Sequence, residues 1–474
     1  MTVAVGCRTF TGANQEWFAA LSGDSNPMHM DAQYARRTQA GAPVVHGVHS
    51  LLWLLDTVAA EHPGLPRIGS LKVRFDKMIY VGDTAKVVVG HADVASVRAD
   101  VQVDGATAMR VMIGFEAPRP VPQSEAGPLY APDRPIERTF ENLPHCAGLV
   151  AFATRTEEAA RAFPAAAQLC GARAISALLA STRLVGMVCP GLHSIFGGLV
   201  LHATEHDDGA EALSFRVTRC DERFRGVRMQ IAAGGMAGTV ESFARMPPVR
   251  QRSLGDLAGL VSPREFAGVS ALIIGGSRGL GDVTAKLLAA GGAMVTVSYA
   301  SGRDEAQALV AELQASGADA QAIAYDVRLP AEAQLAPLRG APDQLYYMAT
   351  PHIFRRKSAL FESAKFAEFS AFYITGFWNA FSALCARRAH VTAFYPSSVA
   401  ISECPTDMTE YAMAKAAGEL MCAAINNHLA PSRVVVRRLP RILTDQTATI
   451  HAVETVAPEA AMLPVIRQMQ HHGA

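Results

Sequence analysis

The 474-residue sequence has no Cys-x-x-Cys pair, no imbalance of charge and no uninterrupted apolar run long enough to span a bilayer. Each absence excludes something. Eight cysteines (Cys7, Cys146, Cys170, Cys189, Cys220, Cys385, Cys404 and Cys422) are scattered along the chain, which argues against a disulfide framework or a zinc site and fits a reducing cytosol. Lysine plus arginine number 43, as do aspartate plus glutamate, so no basic stripe marks a nucleic-acid partner. With no spanning run a membrane partner is not expected. The N-terminus also lacks the basic, apolar, small-residue succession of a secretory signal. These absences predict a cytoplasmic protein. What is present is globular in character: half of the residues are hydrophobic, with 38 glycines and 26 prolines, and the length suits about three domains.

The most informative stretch runs from Ser22 to Ser50. Asp24 and His29 are five apart with Asn26-Pro27 between them. Asn-Pro favours a turn and Pro27 stops a helix, so both side chains can point into one cleft. A carboxylate and an imidazole facing each other can hold one water and move protons at two substrate positions. The pattern D-x-N-P-x-H, then Tyr34-Ala35, then His46-Gly47 before an apolar helical run, resembles the MaoC-like, R-specific enoyl-thioester hydratases and dehydratases of the hotdog fold. The resemblance covers residues 1–122. It implies Asp24 and His29 as the acid–base dyad, with Asn26, His46 and Gly47 beside the substrate. Donors at the helix start near Gly47 would hold the thioester oxygen and stabilise an enolate. Which member of the dyad serves the α-proton and which the hydroxyl is open.

The residues fit that fold. Asn14–Leu21 reads as a short helix and His46–Ala60 as a long apolar one wrapped by a sheet. Strands are predicted at Ile68–Phe75, Thr84–Val89, Val97–Val103 and Ala108–Phe115, with Asp104-Gly105 as a hairpin turn. Pro118, Pro120, Pro122, Pro128, Pro132 and Pro135 then mark a linker. A weak repeat follows. Gly191-Leu192-His193-Ser194-Ile195 echoes Gly47-Val48-His49-Ser50-Leu51, and the run from Phe243 to Gln251 echoes that from Phe115 to Gln123. Strands at Leu213–Arg219 and Arg228–Ala232 complete a second hotdog unit over 143–248. Its Cys189-Pro190-Gly191-Leu192-His193 run is similar to the Pro-Gly turn of acyl-carrier-protein dehydratases. Aligning the helices puts Thr182 and Met187 where Asp24 and His29 stand in the first unit. Neither can do acid–base work, so the second unit reads as catalytically silent.

Residues 249–265 read as a connector, and beyond it strands alternate with helices, the mark of a parallel α/β sheet. The apolar strand Ser270–Ile274 runs into Gly275-Gly276-Ser277-Arg278-Gly279-Leu280-Gly281 and a helix over Val283–Leu288. Glycines there let backbone approach a pyrophosphate at the helix start. Further strands are predicted at Met294–Ser298, Gln321–Tyr325, Gln344–Met348, His390–Phe394 and Val434–Arg437. Tyr411 and Lys415 share a helix face, and Ser398 ends a strand thirteen positions before Tyr411. A nearby ammonium stabilises a phenolate and so tunes Tyr411 as an acid. With the run Pro440–Thr444 this resembles the short-chain dehydrogenase/reductase family over 265–474. The resemblance implies a catalytic set of Ser398, Tyr411 and Lys415, and a cofactor lined by the Gly275–Gly281 loop, Asp326, Val327 and Ala349 as well as Tyr411 and Lys415. It also implies a homo-oligomer formed through this domain. Two departures stand out: the family's Asn-Asn-Ala-Gly run reads Tyr347-Met348-Ala349-Thr350, and Tyr373 replaces the helix asparagine of the proton relay. No acid ends the second strand, where one would bind the ribose of NAD. Arg278 and Arg303 could instead meet a 2′-phosphate, which favours NADPH and reduction.

The expected fold class is therefore an α+β double hotdog followed by an α/β Rossmann domain. The expected function is bifunctional: reduction of a 3-oxoacyl thioester, and dehydration of the 3-hydroxyacyl product or its reverse. The carrier is open between coenzyme A and acyl carrier protein, in fatty-acid- or polyketide-type chain building. The alternatives are a hydratase feeding an oxidising 3-hydroxyacyl dehydrogenase, and a hydratase joined to a catalytically decayed, reductase-like binding domain.

Overall fold

The computed structural model describes residues 3–120, 127–207, 209–353, 360–445, 447 and 454–471. Pro122 and Gln123, at the end of one of the two echoes, lie outside them. The chain forms two compact units that divide between Pro247 and Pro248.

The first unit is one sheet of eleven strands: β1 Val3–Thr9, β2 Ser70–Phe75, β3 Thr84–Ala92, β4 Ser96–Val103, β5 Ala106–Gly114, β6 Leu129–Tyr130, β7 Ala147–Ala151, β8 Ser194–Ala203, β9 Ala212–Asp221, β10 Gly226–Ala233 and β11 Met236–Ala244. Their order is β1-β3-β4-β5-β2-β8-β11-β10-β9-β7-β6. Outward from the β2–β8 seam, each half repeats the same succession, so β1 to β5 correspond to β7 to β11. The seam is an antiparallel ladder from Ser70 opposite His202 to Arg74 opposite Gly198. Asp104 and Gly105 turn β4 into β5 with φ of 51° and 76°, the left-handed pair a two-residue hairpin needs.

Each half has its longest helix between its first and second strands. In the first it is Gly47–Glu61, with Val48, Leu51, Leu52, Leu54, Leu55 and Val58 buried. In the second it is Ala172–Arg183, buried continuously from Ala174 and prolonged by a π-helical turn over Leu184–Val188. This placement corrects the internal alignment. Gly47-Val48-His49 opens a central helix, whereas Gly191-Leu192-His193 follows one and leads into β8. The likeness is of composition, not position. Phe115 and Phe243, by contrast, both stand at the last strand of their half, one just after β5 and the other within β11.

The second unit carries six parallel strands, β12 Ser270–Ile274, β13 Met294–Tyr299, β14 Ala320–Ala324, β15 Gln344–Tyr347, β16 Thr392–Ser398 and β17 Arg433–Leu439, ordered β14-β13-β12-β15-β16-β17. The order reverses between β12 and β15, which opens a crevice at their carboxyl ends. The expected connector is not one. Residues Leu254–Ala258 form a capped helix, and Leu254, Leu257 and Val261 join the core around Val283 and Leu287. Short length and a polar flank hid it. All eight cysteines are free, and among the described residues no helix is long and apolar enough to cross a membrane.

His49 shows how the core of the first half is built. Its ring stacks on Phe18 at 4.5 Å between centroids, it is fully buried, and neither ring nitrogen has a partner. Burial lowers its pKa to about 3. A depressed histidine leaves the fold stable above the unfolded pKa and costs stability as pH falls below it, at up to about 1.4 kcal/mol per pH unit. His49→Leu should therefore flatten the loss of Tm between pH 7 and pH 4. Parallel Tm–pH curves for wild type and variant would show that another group sets the acid limit.

Candidate active site

The loop after the first helix, Gly12–Ser22, is turned by Gly23 at φ 72°. It delivers Asp24 to the interior, and Asn26 then caps a single turn, Pro27–Met30, through its side chain. That turn carries His29. Asp24 is 1% exposed, and its oxygens accept from the Asn26 amide at 3.2 Å and the Thr182 hydroxyl at 2.7 Å. Burial raises its pKa; the His29 charge, Thr182, Asn26 and Arg183 pull the other way. His29 is half-buried, and its Nδ1 donates to the Val44 carbonyl at 2.8 Å, which leaves Nε2 as the acceptor in the neutral ring. Burial lowers its pKa, opposed by Asp24. Polar atoms of Asp24, His29 and His46 lie within 4.8 Å of one another. The cluster can therefore hold and exchange a proton between a carboxylate and a neutral imidazole.

The residues expected around the substrate border Asp24 and His29. His46 is fully buried; Nδ1 meets Gln15 Oε1 at 2.9 Å and Nε2 meets the Asp24 carbonyl at 3.0 Å. Its ring stacks on His29 at 3.8 Å. Both its ring nitrogens are thus engaged beside Asp24 and His29. Asn26 is likewise occupied: its Nδ2 donates to the carbonyls of Gly186, Gly191 and Leu192 at 2.8, 3.3 and 3.3 Å. Gly47 opens the central helix where a Cβ would strike the Phe75 ring. Thr182 and Met187 do not occupy the dyad's place in their own half. They come from the end of the second central helix and meet the first half's loop, Thr182 on Asp24 and Met187 Sδ on the Ser25 hydroxyl at 3.7 Å. Arg245, 1% exposed, donates to the Tyr34 hydroxyl at 2.8 Å and to the Leu192 carbonyl at 3.0 Å. Sequence reasoning missed Gly186 and Arg245, since neither belongs to a motif.

In the second unit the Gly275–Gly281 loop lies at the β12–β15 crevice. Gly275 has φ 79°, and a Cβ there would press on the Ala349 amide. Its amide meets the Ser298 hydroxyl at 3.2 Å. A Cβ at Gly281 would overlap the Gly275 carbonyl, so the loop and the helix Gly279–Ala290 close on each other. Ser277 is buried, Leu280 packs on the core and Gly279 takes φ 58°. Arg278 faces Asp445 at 3.6 Å, and Arg303 is exposed at the head of the helix Arg303–Ala315. Both Asp326 oxygens are taken by Arg328, at 2.9 and 2.6 Å, a pairing that holds its pKa low. Val327 is buried in the core.

Ser398, Tyr411 and Lys415 come together. Ser398 hydrogen-bonds to the Tyr411 phenol; burial raises the Tyr411 pKa and Ser398 lowers it. Lys415 Nζ donates to the Pro396 carbonyl at 2.6 Å and lies 3.8 Å from the centre of the Tyr373 ring. Burial pulls it down to about 7. Tyr373 belongs to a π-helical turn, Ala371–Gly376, and its hydroxyl pairs with Thr350.

Comparison with known families agrees with both units. The MaoC like domain family matches residues 4–111, and the short chain dehydrogenase family matches residues 270–345. The chain carries a MaoC-like domain and a short-chain dehydrogenase domain. A peroxisomal hydratase-dehydrogenase-epimerase of Saccharomyces cerevisiae is 36% identical over 77 residues, 16% of this chain and 8% of that protein. The short chain dehydrogenase/reductase nsrJ of Aspergillus novofumigatus is 41% identical over 71 residues, 15% of this chain and 27% of that protein. The chain thus matches less than a third of the length of either relative. A short chain dehydrogenase from Burkholderia cenocepacia, solved with NADP, is 23% identical over 43% of this chain and 91% of its own, with a TM-score of 0.39.

The environment of Asp24 sets a stability trade-off in the MaoC-like domain. A carboxyl whose folded pKa is raised costs stability once pH exceeds its unfolded value, and the cost vanishes at acid pH. Asp24→Asn, which keeps an acceptor for Thr182, should raise Tm at pH 8 and change it little at pH 4, by about 2–4 °C for each kcal/mol relieved. A Tm that falls at pH 8 would mean that the charge is stabilising where it stands.

Proposed function

We propose that the chain is a bifunctional acyl-thioester enzyme. The MaoC-like domain interconverts 3-hydroxyacyl and 2-enoyl thioesters, and the short-chain dehydrogenase domain reduces 3-oxoacyl to 3-hydroxyacyl thioesters with NADPH. The observation that carries the reading is the Asp24–His29 pair: a buried carboxylate and a half-exposed neutral imidazole whose polar atoms lie within 4.8 Å. Hydration needs a base for water and a proton donor for the α-carbon, and this pair provides both roles. On this reading residues 1–122 carry the dyad, 143–248 are the silent partner and 265–474 form the reductase.

The glycine cradle supports a dinucleotide in the second unit, since a Cβ at Gly275 or Gly281 would meet backbone. Gly275 to Gly281 would hold its pyrophosphate, and Arg278 and Arg303 a 2′-phosphate. Bound there, a reduced nicotinamide supplies hydride. Tyr411 gives a proton from Oη to the nascent alkoxide, Ser398 holds the carbonyl oxygen, and Lys415 favours the phenolate through its charge. The carrier is coenzyme A or acyl carrier protein, and a homo-oligomer through this domain belongs to the same reading. A second reading, hydration followed by oxidation, is supported by the yeast relative, a hydratase-dehydrogenase-epimerase. The absence of an acid after β13, where Tyr299-Ala300-Ser301-Gly302 stands, favours NADPH and the reductive direction.

Mass spectrometry of short 3-oxoacyl thioesters on both carriers, incubated with protein and NADPH, tests the pair of activities. The 3-hydroxyacyl and 2-enoyl products should both form. Asp24→Asn and His29→Ala should each lower crotonyl-thioester hydration by about a hundredfold or more and spare reduction. Tyr411→Phe should do the converse, with NADPH still bound. Binding of NADPH without reduction on either carrier would leave a hydratase with a cofactor-binding companion domain.

A further inference from the structure

The dyad's carboxylate is not held by its own half of the sheet alone. Thr182, near the end of the second central helix, is 4% exposed and donates to Asp24 Oδ2 at 2.7 Å. One helical turn on, the π-helical turn brings Gly186 so close that a Cβ there would overlap both carboxylate oxygens. The Gly186 carbonyl accepts from Asn26, whose backbone amide binds Asp24 Oδ1. These contacts converge on one carboxylate and fix the direction of its lone pairs.

We propose that Thr182 is a positioning residue for the first half's hydratase chemistry: its hydroxyl, presented from the silent half, fixes Asp24 as a proton acceptor beside His29. The proposal rests on the Asp24–His29 reading. A hydroxyl that donates to a carboxylate stabilises the ionised form, and it matters most where burial favours the neutral acid, as it does for Asp24. The other groups bearing on the carboxylate are His29 on its short helix, His46 Nε2 at 4.0 Å at the head of the first central helix, and Arg183 beside Thr182. Arg183 is itself faced by Asp133, and Arg245 bears on His29. Of the neutral donors only Thr182 is a side chain, so it can be removed without rebuilding the loop.

Thr182→Val keeps the shape and removes the hydroxyl; Thr182→Ser keeps the hydroxyl. Two readouts are taken on the full chain: kcat/KM for crotonyl-coenzyme A hydration against pH, and carboxyl 13C titration of aspartate-labelled protein, with Asp24→Asn assigning the resonance. In Thr182→Val the acid limb and the Asp24 titration should both move up by about one pH unit or more, and Thr182→Ser should return both toward wild type. A uniform loss of rate with an unmoved limb and titration would make Thr182 a packing residue and overturn the proposal. If wild type hydrates no thioester, the reading of the dyad fails and takes the catalytic role of Thr182 with it. The titration would then still report whether the hydroxyl holds the carboxylate, so the two failures are distinguishable.

Discussion

A carboxylate placed out of reach of water must find its hydrogen bonds inside the protein, and that constraint organises the first unit. Asp24 finds its donors on opposite sides of the β2–β8 seam: the Asn26 amide from its own loop, and Thr182 from the other half. Asn26 then ties the loop to three carbonyls of the 186–192 segment, and Arg245 ties Tyr34 to one of the same carbonyls. The seam ladder sets the register that brings these donors and acceptors together. Sliding β2 against β8 by one residue would turn the side chains of the moved strand to the other face and displace the segments that meet at Asp24.

The second unit has a comparable knot around Lys415. Tyr347 and Thr350, from the run that departs from the family's Asn-Asn-Ala-Gly, touch a common element with Tyr373. Tyr347 donates its hydroxyl to the Phe372 carbonyl at 2.6 Å, inside the π-helical turn. Thr350 pairs with Tyr373 of the same turn, and the Tyr373 ring covers the Lys415 ammonium. An ammonium over an aromatic face is stabilised by the ring quadrupole without a proton-conducting partner. Tyr347, Thr350 and Tyr373 thus meet at one turn, whose Tyr373 ring covers Lys415.

The elements were largely legible because their periodicities are clean. Ser270–Ile274 matches β12 residue for residue, and the helix before the Asp24 loop and the helix after His46 extend only slightly beyond their expected bounds. The Asp24–His29 and Tyr411–Lys415 pairs were legible because each is local in sequence, a turn or one helix face apart. What sequence hid was non-local. Nothing in Thr182 or Gly186 marks them as partners of Asp24, more than 150 residues away, because that proximity follows from strand order and not from spacing. The false echo of Gly191-Leu192-His193 shows the converse: two short glycine–histidine runs can look alike when one starts a helix and the other follows one.

The second half meets the Asp24 loop without repeating its residues. Between β7 and its central helix it has no histidine, so it does not repeat the dyad. Yet the end of that helix presents a hydroxyl at 182 and no side chain at 186, and the carbonyls of 186, 191 and 192 face the loop; each contacts Asp24 or Asn26. The π-helical turn, Leu184–Val188, carries Gly186, whereas Gly191 and Leu192 follow it. Widening the last turn releases carbonyls that an α-helix would use internally, and it lets Gly186 approach a carboxylate that a regular turn, with its side chain, would keep at a distance. The second half thus gives Asp24 and Asn26 a second wall, built from the end of its central helix and the segment that follows.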